Sequence, residues 1–414
     1  MTKIHFTGIG GAGMAPLAEL SLARGYHVTG SDSTDNSKCR HLAELGAVIS
    51  IGHCAASLPD DADLLVYSSA VPEDNCERLK ARSLGIREVR RGGFLAEFAA
   101  SYHRCVSVTG THGKSSITAA LVSILRQCGK NPGFMIGAEV AGLPSCSAGD
   151  GDIFVTEADE SDGTHTLLKN FLAVVPNVED DHEWSLGGPL VLDDNFRTVA
   201  ANSSHLLYYA SPKCDELFAQ HPNAQRLAEI PAAFAGLSGF QAANANIAAT
   251  AAAILGCNAD TATSAAANYP AVARRMNLVI NEENFAVIED YAHHPTEVAA
   301  AIRWMRTNYP GYHLRVLFQP HRFARLEKYF DEFAAVLKTA DSVFIAPVFA
   351  AWCESGPVDS NKLASAVNGT AVSGSFENWV SQVTSSLPPK SLIAVLGAGD
   401  INQTLPYFFS RERK

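Results

Sequence analysis

The residues of this chain best suited to chemistry stand where apolar runs end. Lys114 follows Thr109-Gly110-Thr111-His112-Gly113. Small residues in such a turn let backbone N–H groups gather around an anion, and the lysine adds a positive charge. Ser115 and Ser116 come next, where a hydroxyl can cap a helix and reach a phosphate-bound magnesium ion. The set reads as a site for the phosphates of ATP. Its spacing is shorter than G-x-x-x-x-G-K-[ST], so a generic nucleotide-triphosphatase label does not follow.

Downstream, Glu157, Asp159, Glu160 and Asp162 crowd one strand end. Carboxylates so close repel unless something positive sits among them, which predicts magnesium with Glu157 as its first ligand; a solvated surface cluster is the alternative. His182 closes the neighbouring apolar segment and is expected to serve metal or phosphate rather than to be a plain loop residue. Two further groups share the strand-end position. One is Asp290-Tyr291-Ala292-His293, and the other is His321, Arg322 and Arg325, whose planar guanidinium forks match a carboxylate. A solvated basic turn is the other reading of this last group. Arg274 and Arg275, beside a hinge, suit phosphate as well as solvent.

The elements that must hold these residues alternate as strand and helix. Lys3 to Gly8 reads as a strand running into Gly8-Ile9-Gly10-Gly11-Ala12-Gly13 and a helix, a G-x-G-x-x-G turn. The next strand ends at Asp32, close to the spacing at which a dinucleotide fold meets a ribose. Alone this suggests NAD, and an NAD-dependent oxidoreductase is carried as a rival reading. Ser68, Ser69 and Ala70 end a later strand and are candidate walls of the same crevice, or an ordinary loop. Cys105 to Gln127 predicts strand, turn and helix, with Ile117, Leu121, Ile124 and Leu125 at helical spacing and Gly129 as the stop. Further strands are expected at 152–157, 171–177 and 205–209. An alanine-rich helix holds Asn244 and Asn246 near its start, and a hairpin follows over 278–289.

A chain of 414 residues exceeds the usual single domain and predicts several cores. Hydrophobic residues make up 47% and charged residues 18%, which suits a globular enzyme, and a formal charge of -11 argues against nucleic-acid binding. No apolar run approaches the roughly 20 residues that span a bilayer, and the first residues read as strand and turn rather than as a signal peptide, so no membrane insertion and a cytoplasmic location are expected. The nine cysteines lack any Cys-x-x-Cys pair, which fits reduced thiols and argues against a structural zinc site.

Taken in order, Thr109 to Ser115, Glu157 to Asp162, Asp290 to Glu297 and Gly397-Ala398-Gly399-Asp400 resemble the motifs of the Mur ligases of peptidoglycan synthesis, over nearly the whole length. The resemblance implies an α/β fold of three domains. These are a Rossmann-like amino-terminal domain for a UDP-sugar (1–104), a central P-loop ATPase-like domain (105–278) and a Rossmann-like carboxy-terminal domain for the amino acid (279–414). It implies an ATP- and magnesium-dependent, amide-forming ligase whose substrates are UDP-N-acetylmuramate and L-alanine, because Gly8 to Met14, Ser68 to Ala70 and Phe318 to Arg322 are most similar to members with that activity. A member that reattaches a tripeptide to the same sugar nucleotide ranks second, and a non-catalytic sugar-nucleotide-binding paralogue is the alternative of another class.

By this resemblance Gly11, Gly13, Met14, Asp32, His53, Ser68, Ser69 and Ala70 would line the UDP-sugar site. Gly110, Thr111, Gly113, Lys114, Ser115 and Ser116 would hold ATP phosphates, with Asn177, Asn246, Arg275, Asp290 and His293 helping to place ATP. Ser115, Glu157 and His182 would bind metal, Lys114, Glu157 and His182 would act in catalysis, and His321, Arg322 and Arg325 would grip the alanine carboxylate. The chain departs from the family pattern in two places. The stretch between His182 and Asn246 lacks strands that members carry, and Gly239-Phe240-Gln241-Ala242-Ala243 replaces a histidine-asparagine pair.

Overall fold

The computed structural model describes residues 2–179, 188–237, 239–268, 272–351 and 355–410. Three sheets carry the architecture. The first contains β1 (Lys3–Thr7), β2 (His27–Asp32), β3 (Val48–Ile51), β4 (Leu64–Tyr67) and β5 (Arg87–Arg90) in the order β3-β2-β1-β4-β5, all parallel. Strand order reverses between β1 and β4. In an open parallel sheet that reversal opens a crevice beyond the carboxyl ends of the strands. The helices that follow β1 and β4 are α1 (Ala15–Ala23) and, after α2 (Ser37–Glu44), α3 (Cys76–Leu84); α4 (Arg91–Ala99) follows β5.

The second sheet contains β6 (Arg104–Val108), β7 (Gly133–Met135), β8 (Cys146–Ser147), β9 (Ile153–Glu157), β10 (Asn170–Val175), β11 (Ser203–Tyr209) and β12 (Ala224–Leu227). Their order is β12-β11-β10-β6-β9-β7-β8, parallel except for the β7–β8 pair. β6 is central, flanked by β9 and β10. Helix α5 (Lys114–Gln127) leaves β6 through the phosphate-loop candidate, and Ile117, Leu121, Ile124 and Leu125 are fully buried along it, as their spacing predicts. Cys128 caps it and Gly129 takes φ +74°. Between β12 and the Gly239–Ile254 helix the described residues hold one short 3-10 turn, Ala232–Phe234, and no strand.

The third sheet belongs to a separate compact unit that begins near Ala271. It contains β13 (Asn277–Glu282), β14 (Phe285–Asp290), β15 (His313–Phe318), β16 (Ser342–Ile345), β17 (Thr370–Ala371) and β18 (Ser391–Leu396), in the order β13-β14-β18-β15-β16-β17. β13 and β14 form the antiparallel hairpin and the remainder pair in parallel. β18, Ser391-Leu-Ile-Ala-Val-Leu396, is buried at every position, as a strand covered on both faces must be. The eight described cysteines are free thiols, and no described helix is long and apolar enough to cross a membrane.

One face of the first sheet is unusual. Ile4, Phe6 and Val28 point into an apolar core, while the alternate positions His5, Thr7, Thr29 and Ser31 are buried and polar. Burying such groups is costly unless each finds a hydrogen bond.

Candidate active site

The loop between β6 and α5 is built on two glycines. Gly110 has φ +125° and a Cβ there would lie 2.5 Å from the Asn177 carbonyl oxygen; Gly113 has φ +86° and a Cβ would lie 2.8 Å from Asn244 Oδ1. A side chain at either position would be strained and would collide with its neighbour. The Asn177 amide, from the end of β10, accepts from His112 N–H at 2.8 Å and donates to His112 O at 3.2 Å, so it braces the loop. Thr111 Oγ1 accepts from Glu179 N–H at 2.8 Å on the same side.

Lys114 Nζ donates to Gly110 O at 2.8 Å and to Glu160 Oε2 and Oε1 at 2.9 and 3.1 Å. Glu160 is 1% exposed. Burial pushes its carboxyl up to about 7; Lys114 opposes the shift and neighbouring Asp159 adds to it. For Lys114 burial acts downward, but Glu160 and Asp159 outweigh it and hold the ammonium above its ordinary value. Ser115 Oγ donates to Glu157 Oε2 at 2.8 Å, and Gly137 N–H donates to Glu157 Oε1. Burial raises Glu157 despite these two bonds. Ser115 and Glu157 thus bring two hard oxygen donors together, a set suited to magnesium. His182, the third expected metal ligand, lies outside the described residues. Ser116 is buried on the inner side of α5.

In the Gly239–Ile254 helix the structure brings Asn244, not Asn246, to the phosphate loop. Asn246 is buried and donates through Nδ2 to Tyr209 Oη at 2.9 Å and to Glu229 O at 3.2 Å, which ties the helix to β11. Two positions apart on a helix face opposite ways, so the sequence could offer both asparagines but only packing selects one.

At the first sheet, Gly10 N–H donates to Asp32 Oδ2 at 2.8 Å and Thr34 N–H to Oδ1 at 3.1 Å. Asp32, expected at a ribose, is 8% exposed and holds the glycine loop in shape. Gly11 lies in the same turn, where its N–H meets Gly8 O. Ser68 faces Gly8 across the β1–β4 reversal, and Ser69 and Ala70 are exposed beside it. Met14 departs from expectation. Its side chain is 1% exposed within the core beneath α1, where the apolar start of that helix draws it, so it cannot line a crevice. Sequence reasoning also missed where Arg91 stands. Its side chain lies against Gly13, with Cδ 3.0 Å from where a Cβ would stand, and its guanidinium pairs with Asp162. One residue thereby touches both the glycine loop and the acid-rich loop after β9.

In the second unit, Asp290 ends β14 and accepts from Met276 N–H at 2.7 Å and Ala292 N–H at 2.8 Å. Burial pushes it up to about 6, against the pull of Arg275. Arg275 Nη1 pairs with Glu297 at 3.2 Å, and Glu297 also accepts from His293 N–H at 3.1 Å. The His293 and His321 rings lie 5.7 Å apart, and His321 stacks on Phe349 at 5.4 Å. Arg325 is 2% exposed and directs Nη1 toward His321 Nδ1 at 3.1 Å. Arg322 has φ +68° as the residue before helix Phe323–Lys328, a strained conformation for a side chain of its size. The structure therefore joins the Asp290–His293 motif to the His321–Arg325 motif at the ends of β14 and β15, the two strands that flank β18.

Comparison with known proteins shows the family. Residues 3–103 match the family model described as "Mur ligase family, catalytic domain", and residues 274–399 match "Mur ligase, glutamate ligase domain". A UDP-N-acetylmuramate--L-alanine ligase of Xanthomonas euvesicatoria pv. vesicatoria is 33% identical over 455 residues, covering 99% of this chain and 95% of the relative. Its counterpart in Renibacterium salmoninarum is 33% identical over 438 residues, covering 97% and 94%. The first alignment is longer than this chain of 414, so that relative carries segments without a counterpart here. Among solved structures, UDP-N-acetylmuramate-alanine ligase MurC from Thermotoga maritima superposes with a TM-score of 0.80 at 22% identity, covering 100% of this chain and 99% of that one. A murein peptide ligase from Psychrobacter arcticus superposes at 0.70 and 20%, covering 99% and 98%. With its parallel α/β sheets, its phosphate loop and these full-length relatives, the chain belongs to the Mur ligase family.

Proposed function

We propose that this chain is an ATP-dependent ligase that joins L-alanine to the carboxylate of UDP-N-acetylmuramate in peptidoglycan precursor synthesis. The observation that carries the reading is the Lys114 ammonium gathered into the Gly110–Gly113 loop beside the Ser115–Glu157 pair. Full-length relatives named for this reaction support it. The domain divisions 1–104, 105–278 and 279–414 are proposed on the same basis, and ATP and a sugar nucleotide as substrates favour a cytoplasmic enzyme.

In this reading the muramoyl carboxylate attacks the γ-phosphorus of ATP, releasing ADP and leaving an acyl phosphate. The neutral amine of L-alanine then attacks the acyl carbon and phosphate departs. Lys114 exchanges Glu160 for phosphate oxygens and offsets their charge, so catalysis is chiefly positioning and electrostatics. Magnesium fits Ser115 and Glu157, with His182 as the further expected ligand, and when bound would supply additional positive charge there. Gly11, Gly13, His53, Ser68, Ser69 and Ala70 form the sugar-nucleotide wall, with Asp32 shaping it. Asp290, Arg275 and His293 help to place ATP, and His321, Arg322 and Arg325 receive the alanine carboxylate.

A phosphate-release assay with ATP, UDP-N-acetylmuramate and single acceptors tests this. Release that requires the sugar nucleotide and is fastest with L-alanine, ahead of glycine and L-serine, is expected. A preference for a tripeptide would move the assignment to the recycling activity. Absence of release with every acceptor would reject a ligase.

A further inference from the structure

The polar face of the first sheet converges on one carboxylate. Glu77, on the first turn of α3, is 0% exposed. Its Oε2 accepts from Thr7 Oγ1 at 2.8 Å, from Ser31 Oγ at 2.7 Å and from His5 Nε2 at 3.2 Å, while Oε1 accepts from Cys54 N–H at 3.2 Å. Burial alone would raise this carboxyl, but the bonds from His5, Ser31 and Thr7 outweigh it and hold it at about 2, so Glu77 is an ion and can only accept.

Counting protons outward from Glu77 then fixes a neighbour. A serine hydroxyl has one proton, and Ser31 gives its proton to Glu77. The Ser31 oxygen also lies 2.9 Å from His53 Nδ1, a contact that needs a second proton, which must come from the imidazole. His53 therefore carries hydrogen on Nδ1. The same nitrogen also lies 3.7 Å from Glu77 Oε1, so the carboxylate favours hydrogen there directly as well as through Ser31. The ring is 27% exposed, unlike the enclosed groups behind it, and in the neutral form its Nε2 holds a bare lone pair.

We propose that Glu77 and Ser31 are positioning residues for the sugar nucleotide: they fix the Nδ1–H form of His53 and so leave Nε2 as a hydrogen-bond acceptor for a donor group on the nucleoside, an imide N–H or a ribose hydroxyl. This rests on the reading that His53 lines the sugar-nucleotide crevice. The network also accounts for a buried polar face that packing alone does not explain, since Thr7 and His5 anchor the carboxylate and Ser31 transmits its demand for a proton.

The test uses the full chain labelled with ¹⁵N at histidine. The His53 signals are assigned by their loss in His53→Asn, and UDP-N-acetylmuramate binding is measured by calorimetry without ATP. Wild type should show Nδ1 protonated and Nε2 unprotonated. Glu77→Gln removes the charge from both routes and can donate to Ser31 and reverse the chain, so it should shift His53 toward the other tautomer and raise Kd about tenfold, the loss of one oriented hydrogen bond, with kcat at saturation unchanged. Ser31→Ala cuts the shorter route alone and should give a smaller shift in the same direction. Thr7→Val removes an equally buried hydroxyl from the same carboxylate without touching the route to His53, so it should lower the unfolding midpoint but leave the tautomer and Kd as in wild type. UDP analogues methylated at the imide nitrogen or lacking a ribose hydroxyl identify the donor, because the matching analogue alone should be insensitive to Glu77→Gln. The proposal is overturned if His53 keeps its tautomer and Kd in Glu77→Gln, or if Thr7→Val weakens binding equally. Failure of wild type to bind the sugar nucleotide would reject the crevice assignment, and an unchanged His53 spectrum in both relay variants would still reject the relay.

Discussion

Two glutamates are enclosed near the carboxyl ends of the first and second sheets, and they are held in opposite ways. Glu77, at 0% exposure, is brought down to about 2, whereas Glu160, at 1%, is pushed up to about 7. Burial raises both. What separates them is the company each keeps. Glu77 receives bonds from hydroxyls and a histidine on β1 and β2, donors fixed by the strands that carry them. Glu160 faces a flexible ammonium and sits beside another carboxylate, Asp159. A carboxylate ringed by rigid donors is a permanent part of the fold. One that depends on a lysine is suited to give that lysine up when a stronger anion arrives.

The largest expected effect breaks the second arrangement. Lys114→Ala should lower phosphate release a hundred- to a thousandfold, about 3 to 4 kcal/mol for one preorganised group, while UDP-N-acetylmuramate affinity measured by calorimetry stays as in wild type. Glu160 then takes up a proton more readily, because Lys114 is what holds its carboxyl down, so the fold survives. Next comes the acid limb of stability. Glu77 has a depressed value, so its contribution is present above the ordinary 4.5 and is lost as pH falls toward about 2. Denaturant unfolding between those values should show wild type losing on the order of 3 kcal/mol from this group, with Glu77→Gln falling less steeply by that amount over the same window. An equally steep Glu77→Gln curve would remove the contrast between the two glutamates.

The same contrast explains what could be read from the chain and what could not. Periodic segments were legible: the β6–α5 unit, the hairpin at β13–β14 and the acids after β9 all stand where apolar spacing put them. Short strands such as β7, β8 and β12 carry too few residues for a period and are set by pairing with longer neighbours. Site residues fared by the same rule. Lys114, Ser115 and Glu157 meet because adjacent strand ends bring them together, and a motif records that. Asn244 and Asn246 share one helix and differ in the side they present, which depends on the helix's neighbours. Met14 belongs to the core although it adjoins a glycine loop. Glu77 was not legible at all, yet the polar positions His5, Thr7, Thr29 and Ser31, alternating along strands that should be covered, were a signal that a buried partner existed.

The smallest expected effect separates the two glutamates most directly. If Glu160 holds Lys114 until ATP arrives, then Glu160→Gln keeps the shape and removes the charge that ATP must displace. Binding of a non-hydrolysable ATP analogue, followed by calorimetry, should tighten severalfold at neutral pH, since Lys114 no longer leaves an ionic partner to meet phosphate. The pH dependence of the gain carries the sign. Glu160 has a raised value, so its folded-state carboxyl is protonated at low pH and ionises as pH rises toward about 7. The fold therefore loses stability from this group between the ordinary 4.5 and about 7, the reverse of Glu77, and Glu160→Gln should flatten that limb. Wild type and variant should bind the analogue alike near pH 5, where Glu160 is already neutral, and diverge above pH 7. Equal affinity across the whole range would mean that Glu160 is a passive counter-ion whose bond to Lys114 persists with ATP in place.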